Sequence, residues 1–311
     1  MSTEQAVLRE PTILDQPEQR FPLDLDVRIP KIRKLFHAAT RNQWDPKTDI
    51  PWDKLDLTQY TDEQLQAGRE YWSRRAWAEY GAISESPALL IRFCHHGLEP
   101  DLRFFFTIRS QEESRHAEVC YLMAEKLGGY IAQPYVQKYQ KSVSTHGVRR
   151  MTLDPSYSLE GVIAALVCAA EEVAFDAFKH LVDVSRDPVA AAVTKAVMRD
   201  EVRHCAFGWD YLNYRMPQLT EAQVKDVEAA VITMIEKVEM NGYHSPWLAP
   251  EEPASEAEVR ADRIAWEAGL GATVEELEKP VFVATIQRLR RKMAPWGVTL
   301  PTFHHPKIGD F

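Results

Sequence analysis

Two segments of this chain, 112-EESRHAEVC-120 and 200-DEVRHCAFG-208, repeat one arrangement: two acids, a variable residue, arginine, histidine. His116 and His204 lie 88 residues apart, and each follows a glutamate (Glu113, Glu201) by three positions. Residues i and i+3 share a helix face, so each segment can aim a carboxylate and an imidazole at one point. The flanks extend the echo, 104-FFFTIRSQEESRHAEVCYL-122 against 192-AVTKAVMRDEVRHCAFGWDYL-212. Each segment falls on the second helix of a helical pair, and two such pairs pack as a four-helix bundle. Strand-like alternation is almost absent. The fold expected is all-α.

Helical spacing predicts a short helix at 31–41 and a long one at 62–83, opened by Thr61 as N-cap with Gln64 reaching back. Pro87 is expected to open a new segment or kink the helix, which continues through 88–97. Further helices are predicted at 100–127, stopped by Gly128-Gly129, and at 159–184 and 188–215, with more at 220–240, 253–269 and 273–293. Residues 1–60 read as an N-terminal extension with one short helix, 61–215 as the bundle, and 216–311 as helices packed on it, all in one domain. The Pro-rich segment before residue 30 and the loop around Pro134 read as irregular.

Composition narrows the function. Hydrophobic residues make up 45 % and charged residues 27 %, as in ordinary globular chains. A net charge of −9 argues against a nucleic-acid surface. No apolar run approaches the roughly 20 residues of a membrane span. The polar N-terminus lacks a signal-peptide core. Cys94, Cys120, Cys168 and Cys205 are scattered without a C-x-x-C pair, which points to buried thiols and a reducing cytoplasm.

Two carboxylate–imidazole pairs make half of a two-metal cage; the other half calls for one inward carboxylate from each remaining bundle helix. The helix at 62–83 offers Glu79 within the series Trp72, Ala76, Ile83, with Glu85 as competitor. In the fourth helix, 161-GVIAALVCAA-170 runs straight into Glu171 and Glu172. An acid beside so apolar a run is costly unless paired or metal-bound. Hydrophobic phase, from Val167, Phe175 and Phe178, leans towards Glu171.

Glu79-Tyr80, the two Glu-x-Arg-His segments and 172-EVAF-175 together resemble the ferritin-like carboxylate-bridged di-iron oxygenases. The similarity is greatest to hydroxylase subunits of bacterial multicomponent monooxygenases and to ring-epoxidising acyl-CoA oxygenases, and it spans roughly residues 60–215. It implies a ferritin-like, ribonucleotide-reductase-like bundle with additional helices at both ends. The monooxygenase pattern sets a Phe three residues after the ligand and so selects Glu172 with Phe175, whereas desaturase-like spacing would select Glu171. We take Glu172. The implied ligand set is Glu79, Glu113, His116, Glu172, Glu201 and His204.

By the same resemblance, Glu112 and Asp200 each hydrogen-bond the histidine of the opposite helix, fixing its tautomer. Arg115 and Arg203 could offset buried negative charge. Asp176 stands where similar monooxygenases keep a threonine, a departure that bears on proton delivery. Cys120 replaces the tyrosine that a radical-generating reductase subunit carries at this offset. Val197 replaces the extra histidine of arylamine N-oxygenases. His95, His96, His180, His304 and His305 read as surface or capping residues, and the aromatic run Phe104–Phe106 as core.

Four carboxylates and two imidazoles suit redox-active first-row ions better than zinc. Two Fe ions are expected, with Mn or a mixed Mn/Fe pair as variants. The implied activity is O2-dependent hydroxylation or epoxidation of a small organic substrate, aromatic ones among the candidates, fed by an electron donor such as a ferredoxin or reductase. A homodimer is expected. Amine N-oxygenation is the alternative within this class, and a ferroxidase or iron-handling bundle the alternative outside it.

Overall fold

The structure is a computed structural model describing residues 23–132 and 148–311, with backbone alone for 148–150. Expectations for the first 22 residues and for the loop around Pro134 lie outside the described residues.

Several helix starts carry side-chain caps. Helix α1 (Pro30–Arg41) has proline in its first turn, where no amide partner is needed. Helix α2 (Asp62–His95) opens with the reciprocal Thr61–Gln64 capping box and runs for 34 residues, roughly 50 Å. Pro87 does not open a new element. It sits inside this continuous helix, whose long packing on α3 (Pro100–Lys126) outweighs one forfeited hydrogen bond. After α3, Gly128 and Gly129 take φ of +126° and +110°, where a side chain would be strained.

A short α4 (Val148–Leu153) precedes the fourth bundle strut. That strut starts as α5 (Leu159–Val162), capped by Ser158, widens into a π segment (Ile163–Ala170), and continues as α6 (Glu171–Val184). Helix α7 (Pro188–Arg215) is capped by Asp187, which accepts from the amides of Val189 and Ala190, both at 2.8 Å. Then come α8 (Glu221–Lys237), α9 (Pro253–Ala268) and α10 (Glu275–Met293), and a two-residue-per-strand hairpin pairing His304–His305 with Gly309–Asp310.

Helices α2, α3, α7 and the α5–π–α6 strut form the bundle. Short turns force α2/α3 and α6/α7 to run antiparallel. Outside it, α1 packs on α3 and α7, α8 on the π segment, α9 on α2, and α10 on α6. Among the described residues no helix is long and apolar enough to cross a membrane.

The interior is two apolar cores with a polar belt between them. One core is aromatic: Phe93, Phe105, Phe106, Phe207 and Tyr211 interlock, with Phe105 and Phe207 stacked at 4.7 Å. The other gathers Trp44, Tyr71, Trp72, Val119, Phe178 and Val197. On α2 the chain leaves one core at Ala76 and enters the other at Leu89; on α3 the change falls between Phe106 and Val119, on α7 between Val197 and Phe207. The charged residues singled out in the sequence on these three helices occupy those intervals.

Candidate metal centre

Within the belt, one donor atom each from Glu79, Glu113, His116 and Glu201 lies within 4.8 Å of the others, and a second group forms from Glu113, Glu171 and His204. The i,i+3 spacing on α3 and α7 delivers both Glu–His pairs to this point, as helix geometry requires. His116 directs Nδ1 at Glu201 Oε1 (3.1 Å), Glu113 Oε2 (3.5 Å) and Glu79 Oε2 (3.7 Å). His204 directs Nδ1 at Glu201 Oε2 (2.9 Å) and Glu113 Oε1 (3.4 Å). Glu113 and Glu201 thus each turn one oxygen to either histidine, while Glu79 and Glu171 stand at opposite ends.

The remaining ring nitrogens are held from across the bundle. His204 Nε2 on α7 lies 3.0 Å from Glu112 Oε2 on α3, and His116 Nε2 on α3 lies 3.3 Å from Asp200 Oδ2 on α7. Both acids are wholly buried. Asp200 also accepts from Trp44 Nε1 (2.8 Å) and Arg115 (3.0 Å), and Arg203 bonds to both Glu112 and Asp200. This clamp leaves the Nδ1 atoms facing the carboxylates.

Glu172, the residue selected from the sequence, is not in either group. Its carboxylate accepts from Trp209 Nε1 (2.7 Å) and Arg288 (2.8 and 2.9 Å) and pairs with Lys292. Burial opposes its ionisation, but Lys292 and Arg288 hold the carboxyl below the usual glutamate range. Glu171 stands in the belt instead. This placement agrees with the hydrophobic phase read from Val167, Phe175 and Phe178, and not with the Phe spacing of the monooxygenase pattern that selected Glu172. A π segment, all eight of its residues buried, leads directly into Glu171. Gly208 of α7 admits this close passage: a Cβ at 208 would lie 2.3 Å from the Val167 carbonyl oxygen.

Asp176 is also outside the group, its carboxylate occupied by Thr285 and Arg288 of α10. Glu85 does not belong to either donor group but lines the wall of the adjoining cavity. Two residues passed over in the sequence matter here. Arg109 bonds to Ser86 and Glu171 and lies 2.9 Å from Glu113 Oε1; Arg75 pairs with Glu79. Arg109 precedes Glu113 by four residues, a helical-face signal present in the sequence. Trp44 sits in an irregular segment and offers no such spacing.

Crowding so many acids in a dry place shows in their proton affinities. Burial pushes the Glu171 carboxyl up to about 8 and also raises Glu79. Burial opposes charge on His204, but Glu201, Glu113 and Glu112 raise it to about 10; His116 is likewise lifted well above its ordinary value by Asp200, Glu113 and Glu201. Glu113, desolvated yet faced by Arg109 and His204, is held low, as is Glu201 between the two imidazoles. The belt is a concentrated sink for positive charge, with Glu113 Oε1 and His116 Nδ1 buried without a hydrogen bond of good geometry. Carboxylate and imidazole donors in this number fit a pair of first-row ions.

A cleft opens from Glu79, Glu113, Glu171 and Glu201, with about 500 Å³ of empty space including its open mouth. A second, with about 820 Å³ counted in the same way, adjoins it, the two sharing Arg75, Ala78, Ala174, Phe178, Tyr243 and His244. Aromatic and aliphatic side chains, among them Tyr71, Leu181, Trp247 and Val259, line much of the outer space.

No protein-family model matches the chain, and no curated protein matches it significantly in sequence. Solved structures do. A variant of an R2-like ligand-binding oxidase with an anaerobically reconstituted Mn/Fe cofactor superposes at a TM-score of 0.67, with 16 % identity over 87 % of this chain and 95 % of its own. A second variant with an Fe/Fe cofactor gives a TM-score of 0.68, with 15 % identity over 87 % of this chain and 94 % of its own. A photoconverted form of the oxidase gives 0.67 at 15 % identity over 87 % and 94 % of the two chains. Nearly the whole length of each is shared, so the outer helices as well as the bundle follow that architecture. The fold is an all-α, ferritin-like bundle.

Proposed function

We propose that this protein is a di-metal oxidase that uses O2, with Glu79, Glu113, His116, Glu171, Glu201 and His204 as its metal ligands. The observation that carries this is the pair of Nδ1 atoms converging on four carboxylates while each Nε2 is held by a buried acid of the opposite helix. A solvated helix face would show none of that convergence. The oxidase structures of the same fold, with Mn/Fe and Fe/Fe cofactors, support it. Two Fe ions are our first choice, with a mixed Mn/Fe pair close behind.

Bound in this belt, such ions would supply the redox chemistry that reduces O2. The protein's own groups do the rest. Glu112 and Asp200 set the imidazole tautomers and ring orientations. Glu113 and Glu201, each facing both imidazoles, would help to hold either ion. Glu79 and Glu171 complete the two ends. The aromatic core at Phe105, which meets the His204 ring edge-on, keeps bulk water from that side. The linked cavities supply a space in which an organic substrate can approach the Glu79–Glu171 side.

On this basis the reaction is oxygenation or oxidation of a small organic molecule, with hydroxylation or epoxidation favoured and an external electron donor such as a ferredoxin or reductase required. The largely apolar outer cavity favours an organic substrate over an iron-storage role.

Anaerobic loading with Fe(II) or Mn(II) should give about two ions per chain, the stoichiometry of a di-metal bundle. Glu113→Ala should abolish loading, because that residue serves both groups. Oxygen uptake by the loaded protein should then accelerate with candidate organic substrates and reductant. Failure of the wild-type chain to retain either metal would sink the proposal; rapid turnover of excess iron without substrate dependence would favour the iron-handling alternative.

A further inference from the structure

Arg109 lies at the heart of one half of the belt. It is 2 % exposed, precedes Glu113 by one helical turn, and divides its guanidinium among Ser86, Glu171 and Glu113 Oε1. Two of the three donors in the Glu113–Glu171–His204 group are therefore engaged by a fixed cation. In the other group Arg75 engages Glu79, and the Glu113 oxygen turned to His116 is the one away from Arg109; both arginines line the cavity that opens from the belt. Arginine does not surrender its proton, and the carboxylates facing Arg109 raise its proton affinity further still. A divalent ion entering beside Glu171 meets that charge at close range, where burial of the guanidinium weakens screening by water.

We propose that Arg109 is a resident counter-ion competing with metal for Glu113 and Glu171, so that the Glu171–His204 position fills second and more weakly than the Glu79–His116 position. It rests on the di-metal function proposed above. The same contact keeps the belt preformed without metal, because buried carboxylates left uncompensated would repel one another. Affinity at one position is lowered in exchange for a metal-free protein that stays folded.

The test is an anaerobic calorimetric titration with Mn(II), paired with thermal unfolding with and without Mn(II), on wild type and Arg109→Gln. Wild type should bind in two steps, the second on the order of tenfold or more weaker. In Arg109→Gln the second step should tighten on the order of tenfold. The metal-free melting temperature should fall, and the rise produced by Mn(II) should exceed that of wild type. Arg109→Lys should tighten the second step only a few-fold, since an ammonium keeps the charge but cannot also reach Ser86, which the second guanidinium nitrogen does. Arg75→Gln should leave the second step unchanged.

A purely structural Arg109 would lower the melting temperature equally with and without Mn(II) and leave the second step as it was. That result overturns the inference. Recovery of folded Arg109→Gln only in the presence of Mn(II) is the same competition in its extreme form and supports it. Should Arg109→Gln not fold under either condition, Arg109→Lys decides: a tightened second step supports the competition, an unchanged one refutes it. Two equal steps in wild type and variant alike refute the inference while leaving the di-metal function standing; no binding to either refutes that function itself.

Discussion

Glu112 on α3 holds Nε2 of His204 on α7 at 3.0 Å, and the bond is returned across the bundle by Asp200 to His116. Each helix of the duplicated pair thus orients the other's imidazole, with Nδ1 turned to the belt carboxylates. Glu112→Gln should keep the fold but lower metal affinity on the order of 10- to 100-fold, the usual cost of losing a carboxylate behind a ligating histidine. Asp200→Asn should do the same and also release Trp44. Metal titration with circular dichroism as the folding control checks both; affinities within threefold of wild type would show that the acids do not orient the rings.

Adjacent glutamates should separate cleanly. Glu171→Ala should reduce loading from about two ions per chain towards about one, since the bundle supplies no substitute at that end. Glu172→Ala should leave the ion count unchanged and cost about 1–3 kcal/mol of stability, because Trp209, Arg288 and Lys292 lose a buried charged acceptor. Metal analysis after desalting, alongside urea unfolding, distinguishes them. Loss of metal from Glu172→Ala but not Glu171→Ala would reverse the assignment.

Gly208→Ala tests the close passage of α7 over the π segment. Its Cβ would lie 2.3 Å from the Val167 carbonyl oxygen and 2.8 Å from Cys168 Sγ, so backbone must shift. A loss of about 1–3 kcal/mol or more is expected from such overpacking. Differential scanning calorimetry would register it; an unchanged transition would mean that the strut relaxes without cost.

Glu278 should leave a pH signature on stability. It is 3 % exposed on α10 and accepts from Ser245 Oγ (2.7 Å) and Trp247 Nε1 (2.9 Å), yet burial pushes its carboxyl up from 4.5 to about 7. The folded chain therefore binds more protons than the unfolded chain between about 4.5 and about 7. The contribution to stability falls as pH rises through that window and stays low above it. Glu278→Gln should flatten the dependence, narrowing its deficit or gaining on wild type by at most about 3 kcal/mol from pH 5 to 8. Melting temperatures of the two proteins across that range check the sign; parallel curves would refute it.

Much of this architecture was legible because it is local. Thr61 and Gln64, Asp187 and Pro188, and Thr220 and Gln223 mark helix starts within a few residues. The two Glu-x-x-His pairs declare a shared helix face by spacing alone. What escaped depends on distant chain. Asp176 and Glu172 are claimed by Thr285, Arg288 and Lys292, more than a hundred positions away, so no spacing rule links them. Hydrophobic phase leaned towards Glu171, the residue that stands in the belt, and the Phe spacing taken from the monooxygenase resemblance pointed one residue on, to Glu172. Pro87 read as either a new start or a kink in a continuing helix, because its local penalty was visible while the long contact between α2 and α3 was not.

The charged belt between the two apolar cores also acts as a ruler along the bundle axis. Sliding α3 or α7 by one turn, about 5.4 Å, would carry carboxylates into a layer of phenylalanines at one end and leave Arg203 and Arg115 facing apolar side chains at the other. A leucine-lined bundle tolerates such slippage because its layers are interchangeable. Here they are not. Vertical alignment of the helices is therefore set by where charge is permitted, and the atoms that would hold the metals reach one another only in that single alignment.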